Sequence, residues 1–210
     1  MSRFVFALLL WLPQSQPQRL DLEALVNKVS ETYGRLKDLS ADFEQIQKDS
    51  SNQGAHQWGH VYMKSGKKAL FEYTKPRVLS ECSDGKKYTK SSPFQATRTS
   101  ISKTDGERLA LLQIVGSQES RWKDQFSQKE ELPDAPLTPG DRVVRLTPKN
   151  KDVRDVTVEV DPRNFMIHRL VFRYVDDQVN EFRFKNITTS PVDPARFKCD
   201  VPPGVELIEE

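Results

Sequence analysis

From Leu22 the apolar residues Leu22, Leu25, Val26, Val29, Tyr33 and Leu36 recur every three or four positions, the spacing of one helix face. Asp21 stands where an N-cap belongs and Glu23 in the first turn, so carboxylates meet the free N–H groups and the positive end of the dipole. After Leu39 the period changes to two. Phe43 sits between Asp42 and Glu44, and valine, tyrosine and methionine mix with glycine and histidine from Trp58 to Lys64. Lys67 to Tyr73 reads as the returning arm of a hairpin turned at Ser65 and Gly66. Asp84-Gly85 separates a further pair, Val78 to Ser83 and Lys86 to Lys90. In the middle, Leu109, Ala110, Leu111, Leu112, Ile114 and Val115 form a short apolar segment ending at Gly116, which predicts a second, short helix. Pro133, Pro136, Pro139 and Gly140 mark a loop with strands on both sides rather than a domain linker.

The last third alternates most faithfully. Val156, Val158 and Val160 oppose Asp155, Thr157 and Glu159. Asp161-Pro162-Arg163-Asn164 turns the chain into Phe165 to Val175, with Met166, Leu170, Phe172 and Tyr174 on one face and Arg169 and Arg173 on the other. Asp176-Asp177 turns it again into a strand that sets Phe182 and Phe184 against Glu181, Arg183 and Lys185. The expectation is a mainly β (α+β) chain of roughly ten strands and two helices, with one apolar and one solvated sheet face. Two packed sheets would fill their own core, whereas one curled sheet must be plugged by the helices, and the pattern permits both. A curled sheet with little helix leaves a concave apolar surface, the usual form of a hydrophobic-ligand site.

Composition sharpens this picture. Of 210 residues, 36% are hydrophobic and 30% charged, so apolar material is scarce for a chain of this length and the fold is thin or surface-rich. Lys and Arg number 32 against 30 Asp and Glu, spread without a basic stripe, which speaks against nucleic acid. At the amino terminus Arg3 precedes the apolar run Phe4 to Leu12, which stops at Pro13. Residues 1–18 therefore read as an export signal, and 19–210 as one domain. The run is too short to span a bilayer, which takes about 20 residues. No cysteine follows it to receive a lipid. Cys82 and Cys199 are either one disulfide or two buried thiols.

No nucleophile-elbow, zincin, P-loop or dinucleotide motif occurs. His56 and His60 would pair on a helix, but on the strand read here they lie about 13 Å apart, and His168 supplies no obvious third ligand. Asp176-Asp177 and Glu209-Glu210 fall in a turn and a tail. The sequon Asn186-Ile187-Thr188 falls on a strand.

Several stretches in order resemble the LolA family of outer-membrane lipoprotein carriers. They are Leu39-Ser40-Ala41-Asp42-Phe43-Glu44-Gln45, Gly59 to Lys64, Leu70-Phe71-Glu72-Tyr73 with Pro76, and Ser83-Asp84-Gly85-Lys86. Further on come the Leu109 to Val115 segment, Leu146-Thr147-Pro148-Lys149, and Phe197 through Pro202-Pro203-Gly204-Val205. The resemblance implies an incomplete, curled antiparallel β-barrel with a short helical lid, a periplasmic location, and no cofactor, metal or covalent chemistry. It implies acylated lipoproteins as cargo, an inner-membrane ABC exporter that loads the carrier and an outer-membrane acceptor that empties it. It also implies a monomer without stable membrane insertion. The expected cavity residues are Phe71, Tyr73, Leu109, Leu112, Phe172, Tyr174, Phe182 and Phe184. Many members carry an arginine after the second strand that latches the lid. Ser65 stands there in this sequence, with Lys64, Lys67 and Lys68 as the nearby cations, and lysine lacks the planar fork of arginine. Periplasmic stress regulators resembling RseB use a similar half-barrel, which makes a sensor or general lipid-binding module the alternative. A lipid hydrolase is disfavoured by the missing motifs.

Overall fold

The computed structural model describes residues 20–101, 126–132, 136–149 and 151–209. The segment 1–18, the short helix read over Leu109 to Val115, Leu109 and Leu112 within it, and Pro133 lie outside the described residues. Helix α1 (Leu22–Arg35) begins as its sequence predicts: Asp21 Oδ1 accepts from the Ala24 amide at 2.7 Å. Among the described residues twelve strands follow, where the pattern read roughly ten: β1 (Asp38–Lys48), β2 (His56–Lys64), β3 (Lys68–Lys75), β4 (Leu79–Asp84), β5 (Lys87–Ser91), β6 (Gln95–Ser100), β7 (Phe126–Leu132), β8 (Arg142–Pro148), β9 (Val153–Val160), β10 (Ile167–Tyr174), β11 (Val179–Thr188) and β12 (Glu206–Glu209). A short 3-10 helix, Pro194–Lys198, precedes β12. The turns read at Ser65-Gly66 and Asp84-Gly85 form, with Lys67 inside the first and β3 starting at Lys68.

All twelve strands form one open, curled sheet in the order β12-β6-β5-β4-β3-β2-β1-β11-β10-β9-β8-β7. The single-sheet alternative is thus the one realised. Strand β1 sits at its centre. The chain winds outward from β1 to β6 on one side, and β11 back to β7 forms the other side. Pairing is antiparallel except at β12, which runs parallel to β6. Concave-face residues of β1 (Leu39, Ala41, Phe43), β2 (Val61, Met63), β3 (Ala69, Phe71, Tyr73), β8 to β11 and α1 close into one core. A smaller cluster on the convex face joins Leu70, Cys82, Val192, Phe197 and Cys199, with Tyr62 against it.

The structure corrects several expectations. Of the two readings left open for the cysteines, the disulfide is the one formed: Cys199 follows the 3-10 helix and bonds to Cys82. Glu209 is not in a loose tail but in β12, facing Arg98 at 3.5 Å and Lys87 at 3.3 Å. Strand β10 begins at Ile167, and a register shift between Ile167 and Arg169 turns Ile167 into the core beside Leu170.

The convex face of the last meander is not simply solvated, since Thr157 and Glu159 are buried. Long arginine side chains roof them, their stems shielding what their heads bind. Arg173 Nη1 donates to Asp155 Oδ1 at 2.8 Å and to Thr157 Oγ1 at 2.9 Å. The Thr138 amide donates to Glu159 Oε1 at 2.7 Å, and Arg169 stands 3.9 Å from its other oxygen.

Candidate functional site

The concave face is built around Phe43, whose ring meets Phe71 edge-on at 5.6 Å and Tyr73 at 5.1 Å, with Phe182 at 6.4 Å. Phe182 in turn stacks parallel on Phe184 at 6.2 Å. Pairing of β1 with β11 brings these rings together from segments roughly 140 residues apart in the chain, a separation read directly from the register Phe43↔Phe184. Such edge-on and offset contacts favour the ring quadrupoles as well as burial.

Helix α1 lies in this trough, with Leu25, Val26, Val29 and Tyr33 buried in the common core. Three polar ties fix it. Tyr33 Oη accepts from the Ile167 amide at 2.9 Å, and Lys129 Nζ donates to Glu23 at 2.7 Å. Buried Arg142 clasps Glu131 through two bonds of 2.8 Å and donates a third, at 2.7 Å, to the Leu20 carbonyl just before the helix. Burial pushes the Tyr33 hydroxyl well above the usual phenol range, so it stays protonated at any working pH.

Of the cavity residues expected from sequence, Phe71, Tyr73, Phe172 and Phe182 are packed into the core under and beside α1. Phe184 lines a small apolar cavity of about 20 Å³ with Tyr33, Leu39, Met63, Ile167 and Ile187. Tyr174 lies at the opposite end of the sheet. The cavity is far smaller than the roughly 300 Å³ at which ligand pockets begin. With α1 seated, the trough is a core. Sequence reasoning missed Tyr33, Leu39, Met63, Ile167 and Ile187: Leu39 and Met63 carry the concave parity of their strands and Tyr33 lies on the buried stripe of α1, whereas the register shifts in β10 and between β1 and β11 turn Ile167 and Ile187 inward against the alternation. It also missed Arg142, which nothing local distinguishes from the other arginines.

The expected latch residues sit apart from α1. Lys64 points to the convex side, where its ammonium is 2.6 Å from Asp38 and 3.4 Å from the Val192 carbonyl. The Leu109 to Val115 segment that a latch would hold lies outside the described residues. Ser65 and Lys67 form the exposed turn, and Lys68 shares the convex parity of Leu70. The histidines each face a carboxylate rather than one another: His56 is against Glu44, His60 Nδ1 lies 2.6 Å from Asp42, and His168 Nδ1 lies 2.6 Å from Asp141. Asn186 of the sequon donates to Asp42 at 2.6 Å.

The tie at Tyr33 and the convex face each carry a measurable consequence. Tyr33→Phe leaves the buried Ile167 amide without its acceptor, which costs about 1–3 kcal/mol. We expect lower stability in urea and faster hydrogen exchange over α1, and unchanged exchange there would contradict the tie. On the convex face, burial alone would raise the Glu181 carboxyl, but bonds from Arg169 and Arg183, each 2.7 Å, outweigh it and hold it below the ordinary glutamate range. Its stabilisation is complete above pH about 4.5 and is lost as pH falls through the lowered native value. Glu181→Gln should therefore flatten the acid limb of the stability curve below that pH and leave its slope near neutrality unchanged.

An open curled antiparallel sheet whose aromatic concave face is covered by helix α1 defines a half-barrel with an apolar interior. The chain belongs to the LolA family: the family model described as outer membrane lipoprotein carrier protein LolA matches residues 34–200. It is 27% identical over 190 residues to the outer-membrane lipoprotein carrier protein of Salmonella paratyphi A, with 88% of each chain covered. It is 28% identical over 181 residues to that of Salmonella typhimurium, covering 84% of this chain and 83% of the relative. Among solved structures, an uncharacterized conserved protein from Thermus thermophilus superposes with TM-score 0.58 at 10% identity, covering 90% of this chain and 98% of that one. MucB superposes with TM-score 0.52 at 11% identity, covering 85% of this chain and 62% of MucB. Among the described residues, no helix is long and apolar enough to cross a membrane.

Proposed function

We propose that this chain is a periplasmic carrier that sequesters the acyl chains of lipoproteins against its concave face and moves them from inner to outer membrane. It receives them from an inner-membrane ABC exporter and yields them to an outer-membrane acceptor, without covalent chemistry. The observation that carries the reading is the continuous apolar trough over β1, β2, β3, β10 and β11, covered by helix α1. Each methylene taken from water is worth about 0.8 kcal/mol, so a chain of roughly 14 methylenes exposes about 11 kcal/mol of apolar surface. Displacing α1 exposes Leu25, Val26, Val29 and Tyr33, so part of the gain from covering the acyl chain goes into opening the trough. That exchange keeps net affinity low enough for release. Phe71, Tyr73, Phe172, Phe182 and Phe184 form the surface uncovered, joined by Leu109 and Leu112 as lid residues.

The test loads the mature protein with a purified lipoprotein in detergent, dilutes the detergent away and looks for a soluble one-to-one complex by gel filtration. Phe184→Glu is the informative variant, because Phe184 is only partly buried, whereas a charge at Phe71 would disrupt the folded core. We expect a stable complex with the parent and at least about tenfold less with the variant, one buried carboxylate costing more than about 1.4 kcal/mol. Aggregation of the lipoprotein with the parent, or equal retention by the variant, would sink the carrier reading. The sensor alternative draws on the shared MucB fold. It would be favoured by complex formation with a regulator's periplasmic segment in place of cargo transfer.

A further inference from the structure

The concave face changes character along its length. On β1 the inward residues run Leu39, Ala41, Phe43, then Gln45 and Gln47. Gln45 is buried and fully engaged: its carboxamide nitrogen donates to Asn180 Oδ1 at 3.0 Å, and its oxygen accepts from Tyr73 Oη at 2.8 Å. Beyond this polar layer, at the end of the sheet farthest from the small apolar cavity, lies a second cavity of about 320 Å³. Gln47, Gln178, Asn180 and Tyr174 line it together with the Asp49–Ala55 loop. Strand rise puts Ala41 and Gln47 about 20 Å apart. The loop is self-contained, since Asp49 Oδ1 accepts from the Ser51 amide and hydroxyl and from the Gln53 amide. These bonds hold its carboxyl below the ordinary range. Lys48 and Asp49 contribute one charge of each sign, so the lining is dominated by neutral carboxamides that both donate and accept.

We infer that this polar cavity is a head-group subsite, which takes the amide-bearing peptide linkage of an acylated peptide while its acyl chain lies in the trough beneath α1. The inference rests on the carrier reading above and adds selectivity to it. Carboxamides complement a neutral peptide group, which needs both donors and acceptors, better than a lone anionic carboxylate. An amphiphile therefore docks in one orientation, head toward the Asp49–Ala55 loop and tail toward Ile187.

The test measures binding of two probes with the same chain, an N-palmitoyl dipeptide amide and palmitate, to the full mature protein. Gln47→Leu with Gln178→Leu should lose about tenfold in affinity for the palmitoyl peptide and leave palmitate unchanged, with thermal melting as the fold control. A second variant reshapes the cavity without altering its carboxamides. In Gly54→Ala the added Cβ would fall 1.8 Å from the Gln47 carbonyl oxygen, so the loop must shift, and the same selective loss is expected. Equal loss for both probes, or no loss on either variant, overturns the subsite while leaving the carrier reading standing. Failure of the parent protein to bind either probe overturns both.

Discussion

Replacing Cys82 and Cys199 together by serine, or reducing the bridge, should lower the unfolding free energy by about 4 kcal/mol, measured by urea denaturation with and without reductant. The two residues are 117 positions apart, with Cα atoms at 5.4 Å, so the bond closes more than half the chain into one loop. Loops of that length confer about 4–5 kcal/mol in the chain-entropy account. The bond also anchors a segment otherwise held by the convex cluster, a few polar contacts and the β12–β6 pairing. The 3-10 helix Pro194–Lys198 touches the sheet through Phe197 in the convex cluster and through Arg196, which lies over the Tyr62 ring at 4.2 Å. Arg98 donates to the Cys199 carbonyl at 3.1 Å. Strand β12 beyond it is exposed throughout. Loss of the bridge should therefore release β12 first, and its amides should exchange before those of β1 or β11. A stability change under about 1 kcal/mol would mean that the convex cluster alone fixes the chain end. Such a bond persists in an oxidising compartment, which agrees with the proposed periplasmic site.

What could be read from the sequence was local. The Asp21 cap, the α1 stripe and the Asp161 and Asp176 turns each depend on residues within a few positions of one another, and all are present. Alternation gives the face of a residue but not its partner strand. So Phe182 and Phe184 were legible as inward, yet their meeting with Phe43 awaited the β1 to β11 pairing. The same limit hid the parallel β12, because four residues with no alternation in burial carry no strand signal of their own. Thr157 and Glu159 read as solvated because their covering comes from Arg169 and Arg173 on the next strand. The apolar concave face was legible in kind through its aromatic content. Its filling by α1 was not, because the fit of the helix into the trough depends on volume, which periodicity does not report.

Phe43→Ala should cost about 3–5 kcal/mol, the range for deleting a buried aromatic side chain, and Gly59→Ala a further 1–3 kcal/mol or so by overpacking. The two positions face each other across β1 and β2. A Cβ on Gly59 would stand 2.9 Å from Phe43 Cε1 and only 2.1 Å from the Glu72 carbonyl oxygen on β3. The glycine therefore serves two neighbours at once: it seats the Phe43 ring, and it lets the β3 backbone approach where the register shifts between Trp58 and Gly59. A double-mutant cycle separates these roles. Removing the ring relieves only the longer contact, so the two losses should add to within about 0.5 kcal/mol, with the backbone clash persisting in the double variant. Strong sub-additivity would instead mean that β3 yields easily and that the glycine exists to seat the ring. The first outcome makes the β2–β3 hairpin a rigid wall of the trough, against which α1 would have to move in the proposed carrier. The second makes the wall itself compliant, so that an acyl chain could be admitted by widening the sheet with α1 still in place.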